Sequence, residues 1–399
     1  MSVITELPRP VPRWLHVWAV LAVVATFLLL AVGQMVTSFR AGMADPIWPT
    51  EPWYLASNFK LDLGYLIEHS HRIIGFSVGL IVAGLAFGLL LGERCSATKW
   101  ASLVGLFVLL AGYGEFHRGL IAQRDVLASQ VKVPVPGAVM ALAGLVVALG
   151  ATVYGMLIHS RGASVRFVSV IALVAVMIQG LLGGFRVKLN ELVGTDLATV
   201  HGVFAQVVFG LLVSLAVLTA RSVPQAVASR KVRSGAVVLT VLLFVQIIWG
   251  AMVRHDPTVL TQKLHFLTAF LATGIAVWVL MCVFADPAAK GRVRVGAHLL
   301  SGLLLLQIYL GVEAWMVKFG SYTLPELVPI TKETAAIRTL HALIGSGLLA
   351  TAVGMGVRVR QSATTPLPVE EPAHEVRPEA GSLEPLLTTA GASQLGETP

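Results

Sequence analysis

Four histidines occupy matching positions along this chain of 399 residues, each in the first turns of a long apolar segment that we predict to be a helix. They are His71, His201, His265 and His341. Two neutral imidazoles that face each other across a helical bundle can act as axial ligands of a haem iron. Because ionisable groups within membrane-spanning helices are unfavourable and usually mark function, we expect these four to bind haem or a metal.

Simpler interpretations stand beside this one. A single histidine at a membrane interface is more often a polar anchor than a ligand, but four at equivalent positions are harder to explain in that way. A bare transition-metal site is less favoured, since no carboxylate or cysteine supplements each pair. His117 belongs to a separate charged cluster, and its role is open.

Three intervening apolar segments share a second repeated feature, the pattern Gln-x-x-x-Gly. It occurs at Gln179 and Gly183, at Gln246 and Gly250, and at Gln307 and Gly311. Four residues make about one helical turn, so the two members of each pair share a face. The glycine allows a neighbouring helix or a flat ligand to come close, and the glutamine can form hydrogen bonds across the bundle.

The second apolar segment opens with a charged cluster. Glu68 and His71 are three residues apart and share a helical face, whereas His69 lies on another side of the helix. In a functional interpretation, Glu68 faces the ligand cavity and moves protons. In a structural one, Glu68 only forms an ion pair with Arg72, four residues later. No acid precedes His265 or His341 at the same spacing.

Arg338 stands where an acid would precede His341. The two halves of the chain are therefore chemically unequal. This inequality predicts a reactive site at His71 and His201, with Glu68 beside them, and an electron-carrying site at His265 and His341.

The composition is that of a membrane protein. Hydrophobic residues make up 56% of the chain and charged residues 13%, against about a quarter charged in soluble domains. Apolar stretches of about twenty residues predict ten membrane-spanning helices and an all-α fold. The predicted spans are 15–37, 65–92, 100–121, 136–158, 166–187, 197–220, 234–254, 263–285, 294–317 and 337–357.

The repeats predict an internal duplication. Residues 1–225 would form a first membrane half and residues 226–360 a second, each with a four-helix bundle that contributes two histidines. The third and fourth spans, about 100–160, would be an insertion in the first half. Residues 361–399 are rich in Pro, Glu, Thr, Ser and Gly, and we expect this tail to be disordered.

The net charge of +8 does not indicate nucleic-acid binding, because most of the Lys and Arg residues lie between the apolar segments. Their distribution predicts a multi-pass protein of the cell (inner) membrane with both termini in the cytoplasm. No signal-peptide cleavage pattern follows the first span. Five cations on the outer side could pair with haem propionates or simply extend to the interface. They are Arg186, Lys188, Arg254, Lys263 and Arg338.

At these positions the sequence resembles the haem A synthase family, whose members act in cytochrome oxidase assembly. Glu68-x-x-His71-Arg72 matches the family's Glu-x-x-His-Arg motif. The run from Gln179 to Gly184 and the segments around His201 and His341 are similar to its later helices. The resemblance covers residues 15–360 apart from about 100–160.

This resemblance implies that His265 and His341 hold a haem b cofactor. We also expect Arg72 and Arg338 to help bind haem. His71 and His201, with Glu68, would bind the substrate haem O and oxidise a ring methyl group to a formyl group. It also implies a membrane electron donor and contact with haem O synthase and cytochrome oxidase. The oligomeric state is open.

The sequence departs from the family in three ways. The family core has eight helices rather than ten, Phe266 stands where arginine often follows the histidine, and residues 38–64 lack the cysteine pair of some members.

A non-enzymatic membrane cytochrome b, and a transporter without haem, are the competing hypotheses.

Overall fold

The polar residues identified above are positioned by long apolar helices. The structure, a computed structural model, describes residues 11–45, 47–50, 52–57, 60–93, 95–158, 163–220, 228–320 and 329–361. Ten helices in this part of the chain are long and apolar enough to cross a membrane. The predictions of ten spans and of an all-α membrane protein are confirmed, and the described residues contain no β-strand.

The helices follow one another with short connections, and two of them are too short to span. In chain order they are α1 (Arg13–Ser38), α2 (Pro52–Ser57), α3 (Leu63–Leu91), α4 (Ser96–Ile121), α5 (Val135–Ile158), α6 (Ala163–Lys188), α7 (Asn190–Val193), α8 (Asp196–Thr219), α9 (Arg230–His255), α10 (Val259–Ala285), α11 (Pro287–Phe319) and α12 (Lys332–Gln361).

Polar caps fix where several of these helices begin. The Asp62 side chain accepts a hydrogen bond from the backbone N–H of Tyr65 at the start of α3, and Thr258 and Thr261 form a reciprocal capping box at the start of α10. Asp286 caps α11 through the N–H groups of Ala288 and Ala289. Such caps satisfy backbone donors that have no partner within the helix.

Helix packing forms two groups of four. Helices α1, α3, α6 and α8 contact one another in one group, and α9, α10, α11 and α12 do so in the other. Each group has its own cluster of buried apolar side chains. The hairpin of α4 and α5 packs against α3 and α6 of the first group. The two groups meet where α1 and α8 contact α9 and α12.

Some sequence-based assignments fall outside the described residues. The boundary between the halves, placed near residue 225, lies in the segment 221–227 that the structure does not describe. The predicted disordered tail lies outside it as well, apart from Gln361, which ends α12. Both assignments stay predictions.

Candidate functional site

Each of the four histidines packs its imidazole on a glycine of the spanning helix before it in its bundle. A Cβ atom on Gly33 would lie 2.9 Å from Cε1 of His71, and one on Gly183 would lie 2.9 Å from Cε1 of His201. A Cβ atom on Gly250 would lie 3.1 Å from Cε1 of His265, and one on Gly311 would lie 3.1 Å from Cε1 of His341. The glycines therefore make room for histidine rings, where the sequence had suggested a helix or a flat ligand.

The histidines form two pairs with the same geometry. The ring centroids of His71 and His201 are 6.4 Å apart, with an interplanar angle of 78°. The same two values, 6.4 Å and 78°, describe His265 and His341. Because His71 and His201 lie on α3 and α8, and the others on α10 and α12, each bundle contains one pair.

This separation suits a metal ion held between two imidazoles. Metal–imidazole bonds are about 2.0 Å long and a ring centroid is about 1.15 Å from its nitrogen, so linear coordination separates the centroids by about 6.3 Å. Among the described residues, no group of three or more His, Cys, Asp or Glu is placed to hold a metal ion. The remaining coordination positions would have to come from the ligand, as the four nitrogens of a porphyrin provide them.

Glutamines of the Gln-x-x-x-Gly pattern contact two of the rings. Nε2 of Gln179 lies 3.1 Å from Nδ1 of His201, and Nε2 of Gln246 lies 3.1 Å from Nδ1 of His265. Gln246 also hydrogen-bonds the Thr268 hydroxyl. Nε2 of each glutamine also lies 3.3 Å from Nε2 of the same ring, so the amide is close to both ring nitrogens and restrains the position of the ring.

The rings of His71 and His341 have no such contact. Nδ1 of each is buried and forms no hydrogen bond of normal geometry. Buried polar atoms without partners are rare in folded proteins and often mark sites of function. Orphaned ring nitrogens in both pairs therefore support the prediction that these histidines bind a ligand.

A polar cluster of buried side chains lies one helical turn from His71. Nδ1 of His69 is 3.1 Å from Oδ2 of Asp45, and its Nε2 is 2.8 Å from the Leu55 carbonyl oxygen. The Arg72 guanidinium lies 3.4 Å from Asp45 Oδ2 and donates to the Asp45 carbonyl oxygen. Asp45 and His69 are both 0% exposed. We call Asp45, Glu68, His69 and Arg72 the loop clamp, because they fasten the segment after α1 to α3.

Glu68 belongs to this clamp through both of its carboxylate oxygens. Oε1 accepts a hydrogen bond from Arg72 Nη2 at 2.9 Å, and Oε2 accepts one from the backbone N–H of Asp45 at 2.8 Å. The ion pair of the structural interpretation is thus present. Tyr54 donates to Asp45 Oδ1 at 3.1 Å. Burial and the hydrogen bonds to Tyr65 and Asp45 raise the pKa of Tyr54, so its hydroxyl stays protonated.

Cations gather between the two histidine pairs. Arg254 donates to Gln34 and, at 2.6 Å, to Ser38 Oγ, so it links α9 to α1. His255 interacts electrostatically with four cations of different helices, which are Arg186, Arg254, Lys318 and Arg338. No carboxylate within hydrogen-bond distance of Arg186 or Arg338 is found among the described residues. This cluster suits an anionic ligand.

Two of the five predicted outer cations are not part of this cluster. Lys188 donates to the carbonyl oxygens of Arg124 and Val126, each at 2.7 Å, and so anchors the loop between α4 and α5. Lys263 is exposed. Neither arrangement directs the ammonium group towards a histidine pair.

The inserted hairpin supports the first site from outside the bundle. Nε2 of His117 lies 3.4 Å from the Thr50 carbonyl oxygen, and Arg124 donates to the Pro49 carbonyl oxygen at 2.9 Å. Tyr113 donates to the Met177 carbonyl oxygen of α6 at 3.4 Å. The hairpin therefore contacts the loop held by the clamp and the helix that carries Gln179.

Comparisons of the chain with protein-family models, curated proteins and solved structures find no match.

The glycine contacts predict a stability effect. In Gly183→Ala the new methyl group collides with the His201 ring, and overpacking of this kind lowers the free energy of unfolding by about 1–3 kcal/mol. Gly150→Ala in α5, where a Cβ meets nothing within 4 Å, is the matched control. It should be neutral or stabilising by up to about 1 kcal/mol, since alanine favours helix. Thermal unfolding in detergent measures both, and equal behaviour of the two variants would contradict the prediction.

Proposed function

We propose that this chain is a haem-binding membrane oxidoreductase similar to haem A synthase, which converts a methyl group of haem O to a formyl group. The observation that supports it most is the same histidine geometry in both bundles, 6.4 Å between centroids and 78° between rings. In this proposal His265 and His341 hold haem b, and His71 and His201 hold haem O as substrate.

The cation cluster supports a ligand with carboxylates. Haem carries two propionates, and Arg186, Arg254 and Arg338 lie at the end of the helices where the histidines are. Arginine binds carboxylates through parallel hydrogen bonds, which suits a propionate near each pair. Arg338 lies one turn before His341 and would bind a propionate of haem b. The guanidinium of Arg72 already donates hydrogen bonds within the loop clamp.

Small residues support a flat ligand. One turn after each histidine the chain has glycine or alanine, a pattern that was visible in the sequence but was not used in predicting the site. These residues are Gly75, Ala205, Ala269 and Gly345. Positions i and i+4 share a helical face, so a small residue there leaves room beside each ring. Leu29 lies against Gly75 and the Gln307 amide against Gly345, and a bound macrocycle would have to displace both side chains.

The chain's own residues would orient the substrate and move protons. Bound haem iron supplies the redox chemistry that oxidising a methyl group requires. His71 and His201 would hold the macrocycle in place, and Arg186 would hold a propionate. Glu68 would accept a proton at Oε1 only after Arg72 Nη2 moves away, because that guanidinium now occupies the oxygen at 2.9 Å.

A non-enzymatic cytochrome b is the second candidate, and two observations favour it. The pairs are geometrically alike, and both oxygens of Glu68 already accept hydrogen bonds. In that case both haems would be permanent electron carriers and Glu68 would only hold the loop.

Membrane location and partners complete the proposal. The ten apolar helices make the chain a multi-pass membrane protein. We place it in the cell inner membrane with both termini in the cytoplasm, next to a membrane electron donor. Haem O synthase and cytochrome oxidase would be its neighbours in the assembly of the oxidase.

Co-expression with haem O synthase, followed by extraction of the pigments, separates the two candidates. The enzyme produces haem A or hydroxylated haem O, and Glu68→Gln lowers that product by about 100-fold or more while the haem content is kept. Glu115→Gln is the matched control, because Glu115 also pairs with an arginine, Arg118, but outside the site. Bound haem b without any oxidised product would refute the enzyme and leave the cytochrome.

A further inference from the structure

The glycine contacts of the four histidines are alike, but the residue one turn before each glycine is not the same in all four. One turn before the glycine under each ring, three helices carry glutamine, at Gln179, Gln246 and Gln307. At the corresponding position α1 carries Leu29, four residues before Gly33. The first ring, that of His71, therefore faces an apolar side chain where the other three face an amide.

The amide restrains the ring that it contacts. Gln246 forms hydrogen bonds to both Thr268 and the ring of His265, so its own position is fixed. Gln179 contacts His201 through the ring and through the His201 carbonyl oxygen at 3.0 Å. A ring restrained in this way has less freedom to turn, and loss of such a partner of a ligating histidine typically weakens metal binding about 10- to 100-fold.

His341 has a glutamine within reach, whereas His71 has none. Oε1 of Gln307 and Nδ1 of His341 are both buried without a hydrogen-bond partner, and the Gln307 amide packs against Gly345, one turn after His341. A side-chain rotation could join this donor and acceptor. No rotation of Leu29 can do so, because its side chain ends in methyl groups. The backbone at this position acts on the ring in all four cases, so the difference at His71 lies in the Leu29 side chain alone.

We propose that His71 is an exchangeable ligand, and that Leu29 makes it so. This inference rests on the proposed function and assigns a role within its first site. When haem is bound at the first pair, the neutral imidazole of His71 would leave it and a small neutral molecule such as carbon monoxide would bind in its place. His201, His265 and His341 would remain ligands.

Carbon monoxide is the probe, used on the full chain purified with haem b bound at both pairs. The haem content is measured first, as the pyridine haemochrome. In the ferrous wild-type protein, carbon monoxide should bind one of the two haems. In Leu29→Gln, a side chain of similar size that can hydrogen-bond Nδ1 of His71, its affinity for that haem should fall about 3- to 10-fold, the effect of one hydrogen bond.

Two further variants make the test specific. Leu29→Met stays apolar and should bind carbon monoxide as the wild type does. Gln246→Leu, the reverse exchange at the second site, should raise the fraction of haem that reacts above one half. A protein that carries two haems of which neither binds carbon monoxide would overturn this inference alone, and so would an unchanged affinity in Leu29→Gln. A protein without haem would overturn the proposed function as well.

Discussion

Replacing His265 with alanine is expected to remove one of two haems per chain. In our proposal this imidazole supplies one of the two protein bonds to the haem b iron, across the 6.4 Å that separates it from His341. Loss of a hydrogen-bonded partner of a ligating histidine already lowers metal affinity about 10- to 100-fold, so loss of the ligand itself should lower it by at least about 100-fold. The pyridine haemochrome of purified protein, expressed per chain, measures the change.

His298→Ala is the control for this experiment. His298 lies on the spanning helix α11 but faces Phe284 near the other end, is exposed and belongs to neither pair. Its replacement should leave two haems per chain. If His265→Ala also kept both haems, the assignment of this pair to haem b would be refuted, and a full haem loss in His298→Ala would show that the assay reports folding instead.

The spans and the histidines could be predicted because each depends on a local pattern. Apolar stretches of about twenty residues must form helices in a membrane, where backbone groups have no water to bond. Four histidines at equal depth on such helices follow directly from their positions in the sequence. The ten helices agree with the predicted spans to within a few residues at most ends, and the largest difference is at α11, which begins at Pro287.

The contacts of the loop could not be predicted in the same way. Asp45 lies in an irregular segment without periodicity, and its partner His69 comes 24 residues later. One signal was available in the sequence. Three neighbouring polar residues on an apolar helix, Glu68, His69 and Arg72, need partners from outside that helix, because unpaired charges are unfavourable in an apolar environment. That requirement pointed to an acid in the loop before α3, although it could not identify which one.

The glycines show a second limit to what can be predicted from the sequence. A glycine pattern indicates close approach, but it does not say what approaches. In the structure the approaching group is a histidine ring of the next spanning helix in the same bundle, at all four glycines. The first span contains Gly33 without a glutamine one turn earlier, so the pattern Gln-x-x-x-Gly does not identify it. Leu29, which stands there instead of a glutamine, is the residue on which the proposed exchange of His71 depends.

Replacing Asp45 with asparagine is expected to destabilise the fold by weakening the contacts that fasten the loop after α1 to α3. Asp45 is 0% exposed and interacts with His69, Arg72 and Tyr54. Arg72 keeps its ion pair with Glu68, so the change weakens buried polar contacts without leaving a bare charge, and it should cost about 1–3 kcal/mol. Asparagine keeps the shape and one carbonyl oxygen, so the change tests the charge. Unfolding by sodium dodecyl sulfate in mixed micelles, followed by circular dichroism, measures the free energy.

Asp125→Asn makes the same chemical change at an exposed position in the loop between α4 and α5, and it should alter the free energy of unfolding by less than about 0.5 kcal/mol. If Asp45→Asn behaved like this control, the charge of Asp45 would not be what holds the loop. The result also bears on Glu68, because the backbone N–H of Asp45 donates to its Oε2. A destabilised loop would no longer hold that oxygen in place. If Glu68 has a catalytic role, Asp45→Asn should therefore lower the activity as well as the stability of the protein. If Glu68 only holds the loop, Asp45→Asn should lower the stability alone.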